Sequence, residues 1–205
     1  MGESKPIGVN TAKPQAANLV LASTSPARRE LLGRTGIPFI VRPANIEEPT
    51  TGFADPRTFV QAVSWLKAAA VAPTVAEGIV LAADTIGWID GGPVLKPADE
   101  ADARRILRQL GGRDHELWTG VVLWRRPDDL QMIWQERSLV RMKAMTDAEM
   151  DVYLATREWR NNSGAYAIKE DGDPYVQVVQ GSVSNVIGLP LESLTRLLER
   201  LSQNA

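Results

Sequence analysis

Asp84 stands directly after the apolar run Ile79-Val80-Leu81-Ala82-Ala83, and Ile86, Trp88 and Ile89 carry the apolar pattern past it. A carboxylate lodged in a buried strand is costly unless a positive group pairs with it, and open α/β sheets hold ligands at the ends of such strands. The plainer alternative, an aspartate opening a turn, is weakened by the apolar residues that follow. Ser23-Thr24-Ser25-Pro26-Ala27-Arg28-Arg29 comes straight after the apolar segment Leu19-Val20-Leu21-Ala22. Ser25 as N-cap and Pro26 as first helical residue suit a helix start, which presents free N–H groups and the positive end of a macrodipole. Two serine hydroxyls and two guanidinium groups on that turn would cradle a phosphate; otherwise it is a capped helix with solvated arginines. Lys96-Pro97 follows the turn Asp90-Gly91-Gly92-Pro93, so a strand leaving that turn would run back and bring Lys96 near Asp84. Glu47-Glu48, in the acidic loop Ile46-Glu47-Glu48-Pro49, reads in isolation as solvated, and Lys96 as a surface lysine. Taken together, these carboxylates, lysines and arginine-bearing helix start are the inventory of metal-assisted phosphoryl chemistry.

Composition narrows the ligands. With no cysteine and a single histidine, His115, thiolate and imidazole-rich metal sites are excluded. Oxygen donors remain, which favours Mg²⁺ or Mn²⁺. His115 itself reads as a structural hydrogen-bonding residue. A net charge of −2 gives no general attraction for nucleic acid, and no apolar run approaches the roughly 18 residues of a membrane span. Residues 1–17 mix Lys, Pro, Gln, Gly and Asn, which predicts a flexible tail rather than a secretory signal. Met1-Gly2 does not open a myristoylation site, because Pro6 stands where Ser or Thr is needed. A cytoplasmic location is expected. The remaining 18–205 are expected to form a single domain or two closely joined lobes, since 205 residues with 44% hydrophobic and 23% charged side chains suit one substantial core.

The fold that carries these residues is legible in outline. Leu19-Val20-Leu21-Ala22 and Phe39-Ile40-Val41 read as short strands flanking a helix that Gly36 closes. Asp55-Pro56 opens a helix predicted to bury Phe59, Val63, Leu66 and Ala70. Ala103, Ile106, Leu107 and Leu110 mark a third helix. Residues 115–123 and 131–144 predict long strands, Val140, Met142 and Ala144 alternating with Arg141 and Lys143. Thr146-Asp147-Ala148-Glu149 is a capping box, residues 166–168 and 175–179 read as further strands, and Leu191, Leu194, Leu198 and Leu201 line a closing helix. The intermixing predicts an α/β or α+β layer fold with a mixed sheet.

Several of these motifs, in order, resemble the Maf family of nucleotide pyrophosphatases. They are Leu21-Ala22-Ser23-Thr24-Ser25-Pro26 with Arg28-Arg29-Glu30-Leu31-Leu32, Ala83-Asp84-Thr85, Lys96-Pro97, Gly112-Arg113 with His115, and Thr119-Gly120. Ser163-Gly164-Ala165-Tyr166 and the stretch from Gly181-Ser182 to Ser184-Asn185-Val186-Ile187-Gly188-Leu189-Pro190 complete the series. The resemblance implies a curved mixed sheet flanked by helices, two lobes around a central cleft, and commonly a homodimer. It implies hydrolysis of a nucleoside triphosphate to the monophosphate and pyrophosphate. By motif, Asp84 would accept the proton of water near the metal, and Glu48 would be a second metal ligand. Arg28, Lys67 and Lys96 would neutralise the triphosphate, and Ser23 and Ser25 would bind phosphate. Ala27, Thr85 and Lys169 fall at positions associated with the choice of base. Thr85 matches the branch that takes dTTP and UTP; Ala27 and Lys169 match neither common branch, and Leu95 and Asn161-Asn162 also depart from the family pattern. These departures motivate a second reading, a nucleotide-binding regulator without turnover that acts through a protein partner.

Overall fold

The computed structural model describes residues 18–49, 54–160, 162–169 and 172–203. The tail expected over 1–17 lies outside them. In chain order the elements are β1 (Leu19–Leu21), α1 (Pro26–Arg34), β2 (Phe39–Val41), α2 (Pro56–Val71), β3 (Gly78–Ile89), β4 (Gly92–Val94) and α3 (Glu100–Leu110). They continue with β5 (Asp114–Arg126), β6 (Gln131–Met142), α4 (Asp147–Thr156), β7 (Val176–Gln180), α5 (Val183–Ile187) and α6 (Leu191–Gln203). The helices begin where side chains can satisfy their first N–H groups. Ser25, Asp55 and Thr146 each accept from the first turn, and Thr146 with Glu149 completes the predicted capping box.

The strands form one sheet in the order β2-β1-β3-β5-β6-β7, with β4 beside β3. β1 runs parallel to β2 and β3, and the other pairs are antiparallel, so the sheet is mixed as expected. β5 accompanies β3 along residues 78–88. The opposite edge of β3 is shared: β1 covers residues 79–81 and β4 covers 87–89. Among the described residues, 82–86 have no strand partner on that edge.

Alternation along β3 sorts its side chains to two sides. Ile79, Leu81 and Ala83 pack with Leu31 and Leu32 of α1 and with Leu194 and Leu198 of α6. Val80 and Ala82 meet Ala68 and Val71 of α2, and Ile86 meets Phe59, Val60 and Val63 of the same helix. Asp84 therefore faces α2, whereas Thr85 faces α1 and α5. A further cluster, including Leu107, Leu110, Val140, Met142 and Leu154, packs α3 and α4 against the ends of β5 and β6.

Two expectations are corrected. The buried face of α2 is Phe59, Val60, Val63, Ser64, Lys67, Ala68 and Val71, while Leu66 is 39% exposed and Ala70 is exposed. Ser64 and Lys67 belong to the stripe, and a reading by hydrophobicity skips them. Residues 166–168 are not a strand. A 3₁₀ turn at Ser163–Ala165 precedes them, and Ala165 takes a φ of 58°. The following Ala167 N–H then donates to the Tyr153 hydroxyl at 3.2 Å instead of to a neighbouring strand.

Candidate active site

A cleft of about 830 Å³ opens at the unpaired stretch of β3. Where β1 ends, the chain turns through Ser23 and Ser25 into α1, so the helix start points at this opening. The loop after β2 brings Glu48, α2 brings Lys67, and the return of β4 alongside β3 brings Lys96, as the turn at residues 90–93 predicted. Ser23, Ser25, Ala27, Arg28, Glu48, Lys67, Asp84, Thr85 and Lys96 all line this one cavity.

Lys67 holds the floor together. Its Nζ lies 2.6 Å from Asp84 Oδ1 and 2.9 Å from Glu48 Oε1, which supplies the positive partner that a buried Asp84 requires. The reach depends on Gly120, which sits opposite Asp84 in the β3–β5 register. Any Cβ at that position would collide with the Val60 carbonyl, so its absence lets α2 descend onto the sheet. Burial raises the pKa of Glu48, but the hydrogen bond and charge of Lys67, with the charges of Lys96 and Arg28, outweigh it and hold the carboxyl below its usual value. Lys96 is exposed in the wall and has no hydrogen-bond or ion-pair partner among the described residues.

Arg28 is fixed from two sides: Nε donates to Gly188 O at 2.8 Å and Nη2 donates to Thr85 Oγ1 at 3.0 Å. Burial pulls its pKa down, opposed by the charges of Asp84 and Glu48; the guanidinium stays protonated. Ser23 Oγ accepts from Ser25 N at 3.1 Å and Ser25 Oγ accepts from Arg28 N at 3.3 Å. Each hydroxyl keeps its own hydrogen to donate to an anion.

A divalent metal can be weighed against this donor set. Among the described residues there is no group of three or more His, Cys, Asp or Glu placed to hold one. Mg²⁺ commonly needs only one or two carboxylates, because substrate phosphates and water complete its shell. Lys67 takes one oxygen from each carboxylate, and Asp84 Oδ2 and Glu48 Oε2 have no hydrogen-bond partner among the described residues. The pair fits Mg²⁺ or Mn²⁺ arriving with a polyphosphate.

Not every candidate gathers here. Lys169 is exposed, its Nζ 3.5 Å from Glu158 Oε2, and it is not part of the cleft lining. Asn162 does line the cleft, and its Nδ2 donates to Glu158 O at 2.7 Å; Asn161 lies outside the described residues. Arg160 and Tyr166 also line the cleft, and neither stood out as a site residue in the sequence. The Arg160 guanidinium lies 5.3 Å from the Trp159 ring centroid, so the adjacent Trp-Arg pair was the available signal. His115 is structural, as expected: Nε2 is 2.8 Å from Tyr166 Oη, and burial pulls its pKa down to about 4.

A helix start bearing Arg28 that faces a carboxylate pair, set in a gap of a mixed sheet, is an arrangement suited to polyphosphate chemistry in an α/β protein. Residues 18–201 match the model of the Maf-like protein family, and the chain belongs to that family. It is 45% identical over 187 residues to a dTTP/UTP pyrophosphatase of Anaeromyxobacter dehalogenans, covering 90% of this chain and 94% of that one. A dTTP/UTP pyrophosphatase of Bacillus cytotoxicus is 39% identical over 186 residues, covering 91% and 96%. Among solved structures, the Staphylococcus aureus Ham1 protein aligns with a TM-score of 0.54 over 92% of this chain and 100% of that chain. At 13% identity that likeness concerns the fold, and it agrees with the architecture expected from the sequence.

Proposed function

We propose that this protein hydrolyses a nucleoside triphosphate, with pyrimidine substrates of the dTTP and UTP kind foremost, to the monophosphate and pyrophosphate. The observation that carries the proposal is Lys67 bridging Asp84 and Glu48 at 2.6 and 2.9 Å beneath a helix start that bears Arg28. The names of the relatives and the match at Thr85 support the pyrimidine preference.

Asp84 accepts a proton from water as the water oxygen attacks the α-phosphorus. The bond from that phosphorus to the bridging oxygen breaks, and pyrophosphate leaves with the electron pair. Lys67 fixes the Asp84 carboxylate so that Oδ2 remains available. Arg28 and Lys96 neutralise the leaving group, and Ser23 and Ser25 donate to phosphate oxygens, so most of the acceleration is positioning and charge stabilisation. Mg²⁺ or Mn²⁺, held by Asp84 and Glu48, would supply further charge neutralisation. Ala27 and Thr85, in the cleft wall, tune the choice of base, and Lys169 lies outside that lining. The reading also makes the region from residue 18 a single catalytic domain, active as a homodimer on cytoplasmic nucleotides, without nucleic-acid or membrane partners. Among the described residues no helix is long and apolar enough to cross a membrane.

The test is a panel of nucleoside triphosphates with Mg²⁺, scored separately for pyrophosphate and orthophosphate. Pyrophosphate from at least one pyrimidine triphosphate is expected, with loss on chelation. Asp84→Asn should lower kcat by about 10²–10⁴-fold without unfolding the protein. Turnover of Asp84→Asn at the parental rate, or release of orthophosphate alone, would sink the assignment. Tight calorimetric binding without product after long incubation would instead favour the regulator.

A further inference from the structure

The hydroxyl of Thr85 has its hydrogen committed, and the commitment can be traced bond by bond. Thr119 lies opposite Thr85 in the β3–β5 register and is fully buried. Its Oγ1 is 2.9 Å from Thr85 Oγ1 and 2.9 Å from the Asn185 carbonyl oxygen. A hydroxyl has one hydrogen to give, and a carbonyl can only accept. Thr119 must therefore donate to Asn185, which leaves it the acceptor towards Thr85. Thr85 spends its hydrogen on Thr119 and turns a lone pair to Arg28 Nη2, 3.0 Å away. Arginine has no acceptor, so the chain runs in one direction only: Arg28 to Thr85 to Thr119 to Asn185.

The same short helix closes the arrangement from the other side. Gly188, just past the end of α5, accepts from Arg28 Nε at 2.8 Å. Its φ of 124° is open to glycine, and a Cβ there would press to 3.2 Å from Thr85 Oγ1. Among the described residues two of the five guanidinium N–H groups are used, which leaves three to donate to an anion.

We propose that Thr119 is a positioning residue for triphosphate binding: anchored to the Asn185 carbonyl, it orients the Thr85 hydroxyl to hold the Arg28 guanidinium in the cleft. This rests on the pyrophosphatase reading of the same site. It also assigns a route to Thr85, which influences substrate through Arg28 and has no hydrogen left to give to a base.

A double-mutant cycle between Thr119→Val and Arg28→Ala tests it, read as kcat, KM and kcat/KM for the preferred triphosphate and as calorimetric Kd. Thr119→Val should raise KM and Kd roughly tenfold with a smaller change in kcat, as expected for loosening a hydrogen bond to a charged group. Thr119→Ser should return both to about twofold of the parent. In the Arg28→Ala background, Thr119→Val should add nothing. Parental affinity in Thr119→Val, or penalties that multiply in the double variant, would overturn the proposal, since a purely structural threonine acts regardless of Arg28. Should Thr119→Val fail to fold, Thr85→Val removes the same link and enters the same cycle, with the same overturning result. A parent that binds triphosphate without releasing pyrophosphate defeats the functional reading alone, because the Kd cycle still decides for or against Thr119. A parent that binds no triphosphate overturns both.

Discussion

Lys67→Met keeps the length of the stem and removes the charge shared by Asp84 and Glu48. Asp84 is then a buried carboxylate with a like charge beside it, a loss that costs roughly 3–5 kcal/mol in fully buried pairs. Glu48 is 40% exposed along its side chain, so about 2 kcal/mol is the expected loss at neutral pH in urea denaturation. Pyrophosphate release by this variant should be abolished. The sequence disclosed these three groups unequally. Asp84 was legible because it interrupts an apolar run in which a charge has to be explained. Lys67 emerged only through the family resemblance, since a lysine on a helix normally belongs to the solvated face. Glu48 reads alone as solvated; the resemblance marks it as a metal ligand, and the contact with Lys67 shows how it is held. Thr119 was visible as part of a motif, but nothing short of the register opposite Thr85 reveals its hydroxyl as a link.

The placement of α2 depends on a residue outside it. Gly120→Ala should push the helix away from the sheet, because the added methyl group meets the Val60 backbone. Overpacking of this kind costs about 1–3 kcal/mol, and the shift should withdraw Lys67 from Asp84. A fall in thermal midpoint together with a large loss of kcat is expected. Gly33→Ala in α1 is the control: nothing lies within 4 Å of its added Cβ, and midpoint and activity should hold or the midpoint should rise. Parental activity in Gly120→Ala would show that the close approach is dispensable. At this scale the sequence was most informative where caps and turns set the chain direction, as with Asp55-Pro56, Thr146 to Glu149 and the turn before β4. It misled over residues 166–168, where Tyr-Ala-Ile has strand composition but its polar groups engage Tyr153 and His115. The rotation of α2 and the five-residue α5 were likewise hidden, since each is settled by tertiary packing and not by its own pattern.

Across the whole molecule, His115 ties β5 to the segment carrying Tyr166 in the cleft wall. Burial pulls its pKa down to about 4, against 6.5 for an ordinary histidine, with the charge of Asp114 opposing. As pH falls below 6.5 the unfolded chain takes up this proton first, so stability is lost between that pH and about 4. Roughly 2 kcal/mol of the loss should fall between pH 6.5 and pH 5, and His115→Gln should flatten that part of the profile. Denaturation at both pH values reads it, and an equal slope in the two proteins would discount His115. The interval of β3 left open between β1 and β4 shapes the molecule in another respect. A first strand five residues longer would lace that window shut with main-chain bonds, so access to the floor is kept by how early β1 stops. Because the surrounding walls are separate segments, evolution can refurnish the doorway for a different base while the hearth behind it is left alone.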